Sequence, residues 1–423
     1  MVRLAEYFDP YHIPFWTILR QVGIDAAISK LDRRFDGEWN NSGDRPWDYA
    51  PLHDMKRRYE AAGLELVGIE DYPPMERTRL GLPGRDEEIE WFCTLLRNMG
   101  RLEIPMVCYS WMACINWVRT DIARQLVEMK YGDGLEVAMG GGRQNFLPAT
   151  MNDPEDEGKK GKRKDGKDLT KAWLDRYGDK GAFVWNQAQF DAVDPAKTDH
   201  LLGLFEMSHM EYEHDREKDK GGEPSLAQMA EKAIDILSRN PEGYVLMIEG
   251  GRVDHGSHAS NAYRTLSDAV ALNEAVKTVL RKVDLNETLI VVTGDHSHTL
   301  TIAGYARRGN PILGISIGTD GKPILGTDGK PYTTIGFANG PGASKEPRER
   351  PTVTMEEAMD PDYIQQSLVP LASESHGGAD LGIYAVGPWS HLFQGTVEEN
   401  YTFHVMNYAS QIGERAAKLA QAE

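Results

Sequence analysis

Short apolar runs alternate along the chain with longer stretches of helical periodicity, and the runs repeatedly empty into loops rich in glycine and polar residues. Before residue 120 the runs GIDAAIS (23–29), LELVGIE (64–70) and IPMVCYSW (104–111) read as strands. Between them, 47–63 and 86–100 read as helices, each ending at a glycine that suits a C-cap. This β and α alternation argues for a parallel α/β sheet. Further on, DIARQLVEM (121–129) is an amphipathic helix, and LEVAMGGGRQNFLP (135–148) is a strand entering a triple-glycine turn with close backbone packing. Residues 152–168 (NDPEDEGKKGKRKDGKD) mix charges without apolar anchors and predict a solvated surface loop. Core-building periodicity returns at 200–213 and 226–240.

The sharpest pattern lies in YVLMIEGGRVDHGSHAS (244–260) and TLIVVTGDHSH (288–298). Their apolar segments, 245–248 and 289–292, predict buried parallel strands. The helical stretch 262–283 would join them in one βαβ crossover. In such sheets ligands collect where strands end at their carboxyl edge.

Composition adds a break in character. Six of the nine Trp precede residue 120, as do Cys93, Cys108 and Cys114, whereas ten of the twelve His follow it. Such a contrast suggests two segments of different origin. Three clustered cysteines with no CxxC spacing give neither a disulfide framework nor a metal motif, so buried thiols are expected. A net charge of −18 argues against a nucleic-acid partner, which would need a basic footprint. The N-terminus, MVRLAEYFDPYHIPFW, has no apolar h-region, and no stretch reaches the ~18 residues of a membrane span. The localisation expected from that reading is cytoplasmic.

Chemistry concentrates in three loops. The first carries Glu249, Asp254 and His258, the second Asp295 and His296, and the third, SESHGG (373–378), places His376 before the strand-like LGIYAVG (381–387). Asp254 and His258 can share one face of a helical turn. Carboxylates and imidazoles from separate loops on a rigid base are what a zinc site requires. His209 and His214 lie on a polar stretch and read as ordinary surface histidines.

GLPGRDEEIE (81–90), LLRNMG (95–100) and IPMVCYSWM…NWVRT (104–120) resemble the N-terminal part of mannonate dehydratase, a TIM-barrel enzyme of hexuronate breakdown. The resemblance covers about three of the barrel's eight βα units, and Arg119 and Thr120 are expected to be structural. From 121 to about 414 the chain resembles an alkaline phosphatase, through DIARQL, MGGGR, GLFE, PEGYVLMIEGGRVDHGSH, LIVVTGDHSH, SESHGGADLGIYAVGP and ENYTFHVMNYA. The fold class implied is α/β: a partial alkaline-phosphatase-like sandwich with a mostly parallel sheet, preceded by a partial TIM-barrel-like βα segment. The domains expected are 1–120 and 121–423, with a variable insertion at 305–355. In that insertion TDGKP occurs twice, at 319–323 and 327–331, as Asp-Gly turn signals of a hairpin. Residues 401–420 would close the chain as an amphipathic helix.

The phosphatase resemblance implies Asp254, His258 and His376 as ligands of a first zinc, Asp295 and His296 as ligands of a second, and Glu249 at a magnesium. It also implies a calcium held by Phe205, Glu206 and Glu223. His255 and His298 match no metal ligand, and supporting roles are expected. The family's serine nucleophile sits in an Asp-Ser-Ala turn, with a bridging aspartate and a phosphate-clamping arginine nearby. No Asp-Ser-Ala occurs in this sequence, so no catalytic nucleophile is assigned and severely reduced phosphomonoesterase activity is expected. The first zinc would keep an open position for water or phosphate. The partners implied are a phosphate monoester or inorganic phosphate, and a second copy in a homodimer; the family is usually periplasmic or secreted. Two alternatives stand beside this reading: a mannonate dehydratase (lyase) fragment, and a zinc-binding pseudoenzyme or scaffold.

Overall fold

The computed structural model describes residues 5–11, 14–21, 24–35, 44–79, 83–108, 119–129, 133–344 and 350–415. Two compact units divide the chain, Met1–Ile122 and Ala123–Glu423.

In the first unit four strands form one parallel sheet in sequential order: Ala5–Phe8, Ala26–Ser29, Glu65–Glu70 and Met106–Cys108. Helices Pro14–Gln21, Tyr49–Ala61 and Arg85–Arg101 lie between them in sequence. Leu52, Met55 and Tyr59 on one helix face and Leu95 and Met99 on the next are buried against Leu66 and Ile69 of the sheet. The Tyr59 hydroxyl bonds both Ser29 Oγ and the Asp9 carbonyl at 2.9 Å, tying that helix to the strand ends. Three strands and two helices of this unit were legible from periodicity, whereas Ala5–Phe8 and Pro14–Gln21 were not; among the described residues no strand pairing closes the sheet into a barrel. The stretch 109–111 of the third expected strand, and Cys114, lie outside the described residues. Cys93 and Cys108 are free and half-buried.

The second unit is built from a parallel sheet and smaller ladders. His200–Leu204 is flanked by Val137–Gly140 and Gly181–Val184, all parallel, with Leu201, Leu202, Val184 and Phe205 in its core. At the triple-glycine turn a Cβ on Gly141 would stand 2.1 Å from the Ser208 carbonyl, and Gly142 has φ +88°, so both positions require glycine. Helix Ala262–Lys282 starts at Asn261, whose side chain accepts from Arg264 N, and ends in Arg281 and Lys282, which complement its dipole. It packs against Leu226–Leu237 and Arg252–His258. Both Asp-Gly turns form: Asp320 Oδ1 accepts from Lys322 N and Asp328 Oδ1 from Lys330 N, with bridges Ile317↔Pro323 and Leu325↔Pro331.

Three expectations are corrected. Residues 245–248 form no strand, and Ile290–Val292 pairs antiparallel with Tyr384–Val386 instead of parallel with that run. The 244–248 segment does alternate, Tyr244, Leu246 and Ile248 half-buried against exposed Val245 (59%) and Met247 (82%). Strand propensity measures fit to a half-buried pleated surface, and among the described residues no neighbour supplies this segment with a ladder. Second, 152–168 is mostly exposed, as expected of a solvated loop, but it is anchored at buried Asp153, Gly161 and Arg163. Asp153 is buried on Arg143, itself fully buried, which donates to both Asp153 oxygens at 2.7 and 2.8 Å and to Glu155 at 2.7 Å, and Arg163 is buried separately, donating to the Asn145 carbonyl at 3.2 Å. Charge pairing there does the anchoring that apolar residues would otherwise do. Third, the closing helix is interrupted: Tyr401–Ser410 ends at Gln411, with φ +54°, helical residues resume at 412–415, and 416–420 lie outside the described residues. Among the described residues no helix is long and apolar enough to cross a membrane.

Candidate metal centre

Three chain segments meet around Asp254. Helix Arg252–His258 follows the Gly250–Gly251 turn and puts Asp254 and His258 on one face at i, i+4, their Oδ1 and Nε2 3.4 Å apart. After Ile290–Val292 the chain delivers Asp295 and His296, then the two-residue strand Ser297–His298. That strand pairs antiparallel with His376–Gly377, setting His298 directly opposite His376. The third segment is pinned by Asn339, whose amide side chain donates to Ser375 Oγ at 2.8 Å and accepts from Ser375 N at 2.9 Å.

The result is a ring of imidazole nitrogens around one carboxylate oxygen. From Asp254 Oδ1, His298 Nε2 is at 2.9 Å, His258 Nε2 at 3.4 Å, His376 Nε2 at 3.7 Å and His296 Nε2 at 3.8 Å. The His296 and His376 rings stack with centroids 3.5 Å apart. His258 Nδ1 lies 2.5 Å from the Glu374 carbonyl, which only accepts, so the proton sits on Nδ1 and a neutral His258 carries its lone pair on Nε2. That lone pair points at His376 Nε2, 3.2 Å away. Burial, with His296 and His258 as neighbours, holds the His376 pKa below that of an ordinary imidazole, which favours the neutral ring, with a lone pair on one nitrogen. Lone pairs and a carboxylate converging in this way fit a divalent cation of borderline softness.

Not every predicted residue joins the ring. Asp254, His296 and His376 have ligand atoms within 4.8 Å of one another, as do His258, His298 and Glu374. Asp295 is largely exposed, with Oδ2 3.4 Å from His296 Nε2. Glu249 is exposed and belongs to neither group among the described residues. His298 and Glu374 were not singled out as ligands from sequence. The signal available for Glu374 was a carboxylate two residues before His376, and for His298 the second imidazole of the DHSH stretch. His209 is exposed and His214 half-buried, against the His255 and Tyr263 rings respectively.

A second acidic cluster lies in the same unit. Glu155, Glu206 and Asp219 bring carboxylate oxygens within 4.8 Å of one another. Glu206 was expected at such a site; the structure groups it with Glu155 and Asp219, and Glu223 stands close by. Phe205 is fully buried in the sheet core. Burial, then the charges of Glu155 and Asp219, push Glu206 up to about 7, and burial, then Glu206 and Asp219, push Glu223 up to about 8. Asp219 Oδ2 and Glu223 Oε2 are buried with no hydrogen-bond donor among the described residues. Carboxylates crowded with unsatisfied oxygens fit a hard, oxygen-seeking cation. Sequence reading missed Glu155 because it lies inside a charge-dense run, where periodicity carries no information.

Comparison with known proteins finds matches to two family models, one over most of the chain and one over an N-terminal part. Residues 112–412 match the family model "Alkaline phosphatase", and residues 19–155 match "D-mannonate dehydratase (UxuA)". Alkaline phosphatase of Gadus morhua is 42% identical over 70% of this chain and 61% of its own length. The tissue-nonspecific isozyme of Homo sapiens is 41% identical over 71% of this chain and 57% of its own. A solved alkaline phosphatase from Thermus thermophilus is 33% identical, covering 44% of this chain and 36% of that one, with a TM-score of 0.37. The chain thus spans about 55 to 61% of the length of the curated relatives it matches.

Proposed function

The chain belongs to the alkaline phosphatase family over residues 112–412, behind a mannonate-dehydratase-like segment, and from that premise we propose a divalent-metal-dependent phosphomonoester hydrolase of severely reduced activity. The carrying observation is the convergence of four imidazole nitrogens within 3.8 Å of Asp254 Oδ1. Asp254, His258 and His376 would hold a first zinc, His296 and Asp295 a second, and Glu249 a magnesium. A zinc bound there supplies Lewis acidity that draws charge from a phosphoryl oxygen.

The chain's own residues do the rest. His258, with its proton fixed on Nδ1, presents a lone pair to the cation. His376, held neutral by burial and its neighbours, presents another. Asp254 contributes negative charge that offsets the cation and leaves a site able to attract a dianionic ester. No Asp-Ser-Ala turn exists in the 423 residues to supply an attacking hydroxyl, which is why turnover is expected to be slow. Glu155, Glu206 and Asp219 would bind calcium as a structural ion.

Supporting this reading over a mannonate dehydratase is the location of the donor ring, which lies wholly within residues matched to the phosphatase model. The absence of Asp-Ser-Ala favours one second reading, a zinc-binding protein that holds phosphate without cleaving it. Purified protein incubated with zinc and p-nitrophenyl phosphate separates the two. Zinc-dependent release of nitrophenol abolished by Asp254→Asn supports the hydrolase. Zinc binding with phosphate affinity and no turnover supports the binding protein, and no zinc uptake overturns both.

A further inference from the structure

Glu374 is a buried carboxylate set against the His298 and His258 imidazoles. Its Oε1 accepts from Thr299 N and Thr299 Oγ1, both at 2.6 Å, and its Oε2 accepts from His298 Nδ1, also at 2.6 Å. Its main chain is equally engaged. The Glu374 carbonyl accepts from His258 Nδ1 at 2.5 Å, and Glu374 N donates to the His258 carbonyl at 2.8 Å.

His258, His298 and Glu374 have ligand atoms close enough to suggest a metal site of their own. The bonding argues otherwise. Both Nδ1 atoms are spent on Glu374, and both Glu374 oxygens are spent on donors, so neither set has an electron pair aimed at a common cation. The opposite edge of each ring faces Asp254: His298 Nε2 is hydrogen-bonded to Asp254 Oδ1 at 2.9 Å, and His258 Nε2 lies 3.4 Å from the same oxygen. One buried residue on the third loop therefore fixes ring orientation on the first loop and on the second. Imidazoles oriented through the far nitrogen by a carboxylate or carbonyl are the usual support of a metal centre, and losing that support typically lowers metal affinity about 10–100-fold.

We propose that Glu374 is the positioning residue of this centre: by gripping His298 and His258 at Nδ1 it turns both Nε2 atoms onto Asp254 and joins three separate segments into one binding ring. It touches neither cation nor substrate. The inference rests on the proposed metal-binding reading, and its test separates the two.

Zinc affinity is measured by competition with a chelating dye for the whole chain and for Glu374→Gln and Glu374→Asp. Gln keeps the length but has one acceptor oxygen in place of two, so it cannot accept from both His298 Nδ1 and Thr299 N; the account predicts zinc affinity lowered about 10–100-fold, with Asp recovering part of the loss. Alongside, side-chain ¹H–¹⁵N spectra of the zinc-loaded wild-type protein report which ring nitrogens carry protons. Nδ1 protonation of both His258 and His298 is the expected result, and it stands as a readout even if the Gln variant fails to fold. Unchanged zinc affinity in a folded Glu374→Gln protein, or a His298 unprotonated at Nδ1, overturns the positioning role. A wild-type protein that takes up no zinc defeats the metal reading itself.

Discussion

Replacing Glu223 with Gln should remove that carboxyl's share of the pH dependence of stability in the cation-free protein. In the fold this carboxyl titrates near 8, because burial and the neighbouring Glu206 and Asp219 disfavour its charge, against an ordinary 4.5. Below 4.5 it is protonated in folded and unfolded chains alike and contributes nothing to the pH dependence. As pH rises through 4.5 the unfolded chain ionises first, and stability falls until the folded carboxyl also ionises near 8. At about 1.4 kcal/mol per pH unit, the loss is roughly 3–5 kcal/mol at about pH 9. Gln carries no charge at any pH, and its imperfectly bonded amide costs about 1 kcal/mol. Urea unfolding without divalent cations should therefore find the variant slightly less stable than wild type near pH 5 and more stable, by roughly 2–4 kcal/mol, near pH 9. Added calcium should raise the wild-type midpoint at high pH, since a cation offsets the crowded charges of Glu155, Glu206 and Asp219. A wild-type midpoint indifferent to pH between these limits, with the variant tracking it in parallel, would refute the reasoning.

Other perturbations have equally definite outcomes. Arg143→Met leaves Asp153 and Glu155 as buried, uncompensated charges and should destabilise the second unit by about 3–5 kcal/mol, read from the urea midpoint. Asp254→Asn removes the anionic oxygen common to four imidazoles and should weaken zinc binding by at least about tenfold, measured by dye competition. Met247→Lys, at a position 82% exposed, should change the unfolding free energy by under about 0.5 kcal/mol while reducing light scattering on concentration.

Local rules carried the sequence reading a long way and then stopped for physical reasons. Helix Ala262–Lys282 was visible because its cap, periodicity and basic end are all encoded within it. The i, i+4 face shared by Asp254 and His258 was visible for the same reason. The direction of Ile290–Val292 was not, since an apolar run looks the same whichever way its partner travels, and the partner lies some ninety residues onward. Buried charge was harder still: nothing in the 152–168 run distinguishes Asp153, locked on Arg143, from carboxylates that stay in water. Glu374 was hidden likewise, because its bonds to His298 and His258 span 76 and 116 residues.

The central claim is that donors from three separated loops hold a divalent cation, and zinc stoichiometry tests it most directly. Wild-type protein and the Asp254→Asn, His376→Ala double variant would be equilibrated with micromolar zinc, dialysed and analysed for metal. The account predicts zinc retained by wild type and lost from the double variant while both stay folded. Equal zinc in the two proteins, or none in either, would contradict it.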